Sequence, residues 1–286
     1  MRNRGASRPK LNAGICVAGV LLSGLSIWWG VAQMNALGRE TGWTAASIGV
    51  AIPAGTICFF MFFNFMWAVR LIAAARRGEG VIARWIVLPA ELEEFRANNR
   101  RRIEQGLDND WKVPKQVPPG GLEVIFTGNG LVIGGAYFGL ATTGMYRFEG
   151  VQILPENPLA IEFGTVLTTM ASTGSSVRTY RTRAMLRVPV SRVASAEAAK
   201  VLRHYTAVDR REVIVDRDFY TRRIRWGLTG SVVFFLVATV GFGLGAAGIR
   251  NEAPVIMAVT GVIAGIGGLV LAGIARLLRG RQLNPR

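Results

Sequence analysis

WGLTGSVVFFLVATVGFGLGAAGI, residues 226–249, contains GLGAAG at 243–248, the spacing of the glycine fingerprint that brings a dinucleotide pyrophosphate to a helix N-terminus. That chemistry needs a strand, a tight turn and a helix in succession, with an acid about 20 residues further on. Here the stretch before the motif is too long and too continuously apolar for a strand. A short polar turn and another apolar run come after it, and beyond Glu252 the chain has no Asp or Glu. The fingerprint therefore implies no dinucleotide, and the expected cofactor set is empty. Read instead as a helix, 24 residues without a charge are enough to cross the hydrocarbon core of a bilayer, which takes roughly 20.

Three further runs share this property: 28 residues between Lys10 and Arg39, 29 between Glu40 and Arg70, and 23 between Glu252 and Arg276. The expected fold class is a membrane protein with four transmembrane α-helices, at 11–38, 41–70, 226–249 and 253–275, and a cytoplasmic α+β domain at 78–221. Residues 1–10 and 276–286 read as basic cytoplasmic tails. A basic start followed by the small residues of WGVAQMNA also resembles a secretory signal, but the apolar run exceeds a typical signal core, so an uncleaved anchor is expected.

The net charge of +16 first suggests a nucleic-acid binder. Its distribution says otherwise. Fourteen basic residues with no acid among them flank the apolar runs: Arg2, Arg4, Arg8 and Lys10, then Arg70, Arg76 and Arg77, then Arg222, Arg223 and Arg225, then Arg276, Arg279, Arg281 and Arg286. Residues 78–221 hold eighteen basic and sixteen acidic residues. A DNA-binding domain should carry the excess itself, whereas positive flanks on one side follow the positive-inside rule. Both termini and the central domain are accordingly expected inside, in a bacterial inner membrane, with no nucleic-acid partner. Trp28, Trp29 and Trp43 would mark the outer interface and Trp67 and Trp226 the inner one. Arg70, Arg76, Arg77, Arg222, Arg223, Arg225, Arg276 and Arg279 are the candidate contacts to anionic lipid.

Gly241, Gly245 and Gly248 recur at i, i+4 and i+7, and Gly261, Gly265 and Gly268 repeat the pattern. Small residues at these intervals let helix backbones approach closely in lipid. Counted from a turn at 251, only Gly241 and Gly261 fall level, so at least one glycine face is expected to meet the first two helices or a neighbouring subunit. The competing reading is that glycine is simply frequent in membrane helices. The second helix, with CFFMFFNFMWAVR, carries Asn64 as its one amide, an expected hydrogen-bonding partner for a neighbouring helix. No Asp, Glu, Lys or His lies inside a span, which argues against a proton relay. Cys16 and Cys58, the only cysteines, fall in spans and suggest neither a disulfide framework nor a zinc site.

In the central domain, GVIARWIVL reads as a strand and PAELEEFRANNRRRIEQ as a helix. Pro89 and Glu91, Glu93 and Glu94 suit its start, Arg96 and Arg100–Arg102 its end, and Leu88, Leu92, Phe95 and Ile103 form an apolar stripe. LEVIFTGNGLVIGGAYFGL carries Asn129-Gly130 as a hairpin signal; GNGLVIGG imitates a phosphate loop but lacks its Lys and Ser or Thr. Further strands are expected near 145–154, 159–169 and 179–190, the first two separated by PENP. STGSS at 172–176 reads as a loop and SRVASAEAAKVLRHY as a closing helix. His204, the only histidine, has no acidic or Cys partner in sequence, and Asp209, Glu212, Asp216 and Asp218 are interleaved with Arg210, Arg211 and Arg217 as a solvated linker. No catalytic residue and no metal ligand is assigned.

Successive hairpins closed by a helix, with VQILPENPLAIEF before and RVPVSRVASAEAAKVLRHY after, resemble the PH-like domains of uncharacterised bacterial membrane proteins over about residues 120–205. The helix at 90–105 departs from that pattern. The resemblance implies binding of lipids or peptides, yet the TGNG turn lacks the basic residues that phosphoinositide binders carry in an early hairpin. The function expected from all this is a non-enzymatic accessory or assembly subunit whose cytoplasmic domain binds a protein partner or the membrane surface. Its partners would be anionic lipid and another membrane protein or a second copy. The rival expectation is a homo-oligomeric channel or signalling effector gated by a ligand on that domain, and a membrane enzyme comes third.

Overall fold

A computed structural model of the chain describes residues 7–39, 41–143, 146–173, 176–215, 218–248 and 253–283. It has four helices long and apolar enough to cross a membrane, plus a domain of antiparallel sheets. The chain divides into two compact units, 1–215 and 216–286.

The first unit opens with a helical hairpin, α1 (Pro9–Leu37) and α2 (Gly42–Arg76). Gly38, at φ +64, ends α1 in the left-handed conformation that glycine adopts without strain. Thr41 starts α2 through a reciprocal cap: its backbone N–H donates to Thr44 Oγ1 at 2.9 Å while its own Oγ1 accepts from the Thr44 N–H at 3.3 Å. The two helices approach closely wherever one of them has no side chain. A Cβ on Gly19 would fall 2.6 Å from Cys58 Sγ, one on Gly30 2.8 Å from Ser47 Oγ, and one on Gly55 2.9 Å from Ser23 Cβ. Cys16 and Cys58 are both unpaired thiols on these helices.

After a turn at 77–80 the chain enters the domain. Strands β1 (Val81–Val87), β2 (Leu122–Thr127), β3 (Gly130–Ile133) and β4 (Ala136–Gly139) form one antiparallel sheet in that order. Strands β5 (Tyr146–Leu154), β6 (Ala160–Thr173) and β7 (Ser176–Pro189) form a second. Helix α3 (Pro89–Glu104) lies between β1 and β2 in sequence, and α4 (Ser195–Asp209) closes the domain. One core joins both sheets and both helices: Trp85, Leu92, Phe95, Phe126, Phe163, Leu186, Val201 and Tyr205 are all buried in it. Helix α4 buries Val201, Tyr205 and Val208 at i, i+4 and i+7, the spacing of one helical face.

Several sequence expectations shift in detail. The β2–β3 connection is Gly128-Asn129, one residue earlier than the Asn-Gly pair suggests, because Gly130 is already paired with Thr127. A side chain at 130 would collide with the Tyr137 hydroxyl, 2.4 Å from a Cβ built there. The paired-glycine turn is instead Gly134-Gly135, both at positive φ (57° and 76°), which joins Ile133 to Ala136 as a two-residue hairpin. Of the STGSS stretch expected as a loop, Ser172, Thr173 and Ser176 belong to strands. β6 runs to Thr173 and β7 starts at Ser176, the intervening 174–175 lying outside the described residues. On α3, Leu92 and Phe95 are buried but Ile103 is exposed, as is Leu88 just before the helix; the buried face continues through Asn99, which accepts a hydrogen bond from Asn109 Nδ2 at 3.1 Å.

The second unit is a hairpin of α5 (Phe219–Ala246) and α6 (Ala253–Leu283). α5 begins seven residues before the expected span, so its first two turns carry Arg222, Arg223 and Arg225.

Candidate functional site

The structure gives the six candidate packing glycines three different settings. A Cβ on Gly241 would fall 2.6 Å from the Ala258 backbone nitrogen, and one on Gly261 2.6 Å from the Ala238 nitrogen. On Gly268 it would lie 2.4 Å from Ser231 Oγ, and on Gly265 2.8 Å from the Phe235 ring. These four line the contact between α5 and α6. Gly245 is looser, with Pro254 Cβ at 3.8 Å, and Gly248 has φ +83 and open space around it, past the end of α5. The spacing leads to the expectation that at least one glycine face meets the first two helices or a neighbouring subunit. Gly241, Gly261, Gly265 and Gly268 each meet a small residue or a ring on the other helix, so both glycine faces are used within this hairpin. Gly227, not singled out in the sequence, joins them: its Cβ would lie 2.8 Å from the Gly268 carbonyl oxygen.

All eight candidate lipid-contact arginines are exposed. Arg76 Nε lies 3.6 Å from Glu123 Oε2, and Arg77 Nε donates to Glu79 Oε1 at 2.8 Å, so both have acids within the chain. The Arg223 guanidinium sits 4.2 Å above the Phe219 ring centroid. Arg70, Arg222, Arg225, Arg276 and Arg279 lie on the helices at or near the ends of the apolar runs. Arg2, Arg4 and Arg286 lie outside the described residues. Asn64 is exposed on α2.

The junction of α2 with the domain is a feature that the run of apolar residues does not by itself reveal. Helix α2 continues past its apolar run and packs on the β1–β4 sheet, on the face opposite the main core. Ile72 and Ala75 are buried against Ile125, Val132 and Tyr137. Trp67 meets the Tyr137 ring edge-on, centroids 6.2 Å apart. Glu123 on β2 pairs with both Arg76 and Arg84. A sequence signal is nevertheless present: β2 and β3 read as nearly continuous apolar runs instead of alternating ones, the pattern of strands covered on both faces.

On the core side, the Tyr205 hydroxyl donates to the Thr127 carbonyl oxygen at 2.8 Å, beside the Phe163 ring at 5.2 Å. Burial raises the Tyr205 pKa well above its ordinary value, and proximity to Tyr137 adds to the rise. His204 Nε2 lies 3.1 Å from the Gly128 carbonyl oxygen, so the lone histidine is tied to the β2–β3 turn. Arg187 is 1% exposed, with Nε 3.4 Å from Glu162 Oε2 and one terminal nitrogen bonded to the Leu107 carbonyl. Burial lowers its pKa, Glu162 opposes the fall, and Arg102 adds to it. The triple arginine resolves into Arg102 paired with Glu156 and Arg101 donating to Asn98 Oδ1 at 2.8 Å. These line an open polar cleft of about 490 Å³ with Gln105 and Asn157. Among the described residues no group of three or more His, Cys, Asp or Glu side chains is placed to hold a metal ion.

No family model, curated protein or solved structure matches the chain significantly.

Proposed function

We propose that this is an integral membrane accessory or assembly subunit, with both termini and the β-rich domain in the cytoplasm. The observation that carries this reading is the α2 junction. A helix long enough to span a bilayer passes directly into the domain and is clamped to its sheet by Trp67, Ile72, Ala75 and Arg76. An enzyme merely anchored to a membrane needs only a tether. A subunit that positions a binding surface relative to a bilayer or a larger complex needs a fixed joint, and buried apolar contact on both faces of a sheet supplies one. The domain, in this reading, is PH-like: antiparallel hairpins closed by α4 support it, with α3 as an insertion between the first two strands.

Gentle extraction from native membranes, affinity purification and mass spectrometry test the proposal. Stoichiometric recovery of a distinct membrane protein is the expected result. A homogeneous self-assembly that leaks ions from reconstituted vesicles when a ligand is added would overturn it in favour of a gated channel.

A further inference from the structure

Strands β6 and β7 are fourteen residues each, and β5 accompanies them only as far as the Tyr146–Leu167 pair. From Thr168, paired with Arg181, to Thr173, paired with Ser176, they continue as a two-stranded ribbon. At about 3.3 Å per residue this ribbon extends roughly 20 Å beyond the third strand. A ribbon of two strands has little stability of its own, so its composition shows what it is suited to meet.

Cross-strand pairing identifies the residues on the outer face of this sheet. Glu162 pairs with Arg187, Gly164 with Met185, Val166 with Arg183 and Thr168 with Arg181. Arg147 on β5 pairs with Val166 from the other side, so Arg147, Val166 and Arg183 form one row. The lower part of this face is roofed by the segment around Leu107–Asp110: the Leu107 carbonyl bonds Arg187, and the Asp110 N–H donates to the Met185 carbonyl oxygen at 2.8 Å. There the one arginine has Glu162 as its counter-ion. Farther along the face, β6 supplies Val166, which is buried, and Thr168 in place of an acid, while Arg181 and Arg183 across from them are exposed.

The sequence sharpens the asymmetry. Between Glu162 and Glu197 there are five arginines and no acid. Arg187 is buried beside Glu162, and Arg192 is paired with Glu94 at 2.7 Å. Arg181 and Arg183 are exposed on one face and make no hydrogen bond or ion pair among the described residues, while the adjacent Tyr180 is 50% exposed.

We propose that this face, through Arg181 and Arg183, docks on an anionic lipid surface. The inference rests on the reading of α1 and α2 as membrane spans and extends it to a second point of contact on the domain. Lipid is favoured on two grounds. The domain follows α2 after a turn of only four residues, 77–80, so a bilayer is held at high effective concentration. A nucleic acid would need a field the domain lacks, since its eighteen basic residues are nearly balanced by sixteen acids.

The test uses the full-length protein with Cys16→Ser and Cys58→Ala and a single fluorophore on Thr179→Cys, which shares a face with Arg181 and Arg183. It is placed in nanodiscs of phosphatidylcholine alone or mixed with phosphatidylglycerol, each carrying a headgroup spin-label quencher. Quenching should be markedly stronger in the phosphatidylglycerol discs and fall at high salt, where the Debye length shrinks. Arg181→Gln with Arg183→Gln should lower the docked-to-undocked ratio about 30-fold, at about 1 kcal/mol for each arginine near an anionic surface. Arg181→Lys with Arg183→Lys should retain docking, because a point charge suffices. Equal quenching in the two lipids overturns the proposal, as does quenching that survives loss of both charges. Protection of the label by an oligonucleotide or a co-purified protein in phosphatidylcholine discs, without a response to phosphatidylglycerol, also overturns it. Recovery of a stoichiometric partner does not depend on lipid charge, so failure of the lipid contact and failure of the subunit reading are separable.

Discussion

At the residue scale, the domain depends on a few buried polar atoms. Glu91 is 4% exposed, and its carboxylate accepts from the Leu88 N–H at 3.0 Å, the Arg192 N–H at 2.8 Å and the Ser191 hydroxyl at 3.2 Å. It fastens the start of α3 to the end of β7. Glu91→Ala strands three donors and should cost about 3 kcal/mol, seen as a lowered unfolding midpoint in detergent. Glu93→Ala, which removes only an exposed pair with Arg96, should cost well under 1 kcal/mol. Tyr205 gives a pH signature. Its pKa in the folded chain lies well above the ordinary value of 10.0. Above pH 10.0 the unfolded chain therefore releases this proton while the folded chain keeps it, and stability falls as pH rises. Tyr205→Phe should remove that part of the alkaline loss and lower stability at neutral pH by about 1 kcal/mol through the missing bond to Thr127. Neither role is legible in the sequence. Glu91 reads as one of three acids at a helix start, and Tyr205 as the neighbour of a lone histidine; Ser191, which bonds Glu91, lies 100 positions away, and Thr127, which bonds Tyr205, lies 78 positions away.

At the scale of elements, the glycine pattern is legible and its meaning is not. The i, i+4, i+7 spacing selects the contact face of α5 and α6, but the sequence cannot show that Gly241 is received by Ala258, Gly261 by Ala238 and Gly265 by the Phe235 ring, while Gly248 meets nothing. The structure separates positions that the spacing treats as equal. Gly241→Leu should break the hairpin contact at a cost of about 1–3 kcal/mol, since its Cβ would fall 2.6 Å from the Ala258 backbone. Gly267→Leu, with open space within 4 Å, should leave thermal stability in detergent unchanged, and Gly245→Leu should be nearly as mild. Equal effects at 241 and 267 would remove the basis for assigning this face. The strands illustrate the same division. Apolar runs and glycine pairs mark β2, β3 and β4, yet which glycine pair makes the tight turn depends on where the Tyr137 ring lies, a contact seven residues away from Gly130. The length of the β6–β7 ribbon escapes pattern reading for a different reason. Ser, Thr and Gly signal a loop by composition, while the two long flanking strands pair residue by residue up to Thr173 and Ser176.

At the scale of the whole chain, the sequence marks four long apolar helices and a region of strands between them, and what it leaves open is how the first hairpin is joined to the β-sheet. A four-residue turn by itself does not fix the angle between the elements it joins. Here the turn at 77–80 comes after a helix already held by Ile72 and Ala75, 7% and 1% exposed, against the outward face of β2 and β3. The joint is therefore packed, and disrupting it should loosen the domain from α2 without unfolding its main core, which lies on the other face of the same sheet. Ala75→Glu places a charge in that contact and Ile72→Ala removes its largest aliphatic side chain. Together they should speed limited proteolysis at the exposed 77–80 turn and hydrogen exchange in β2 and β3, while α4 and β7 keep their protection. Arg76→Gln alone, which breaks only a solvent-exposed ion pair with Glu123, should change neither readout. If the double variant leaves both rates unchanged, α2 is held by something other than this contact, and the fixed joint on which the subunit reading rests is not a joint. If α4 and β7 lose protection together with β2, the two faces of the sheet form one cooperative unit, and α2 is then coupled to the entire domain, including the β6–β7 ribbon.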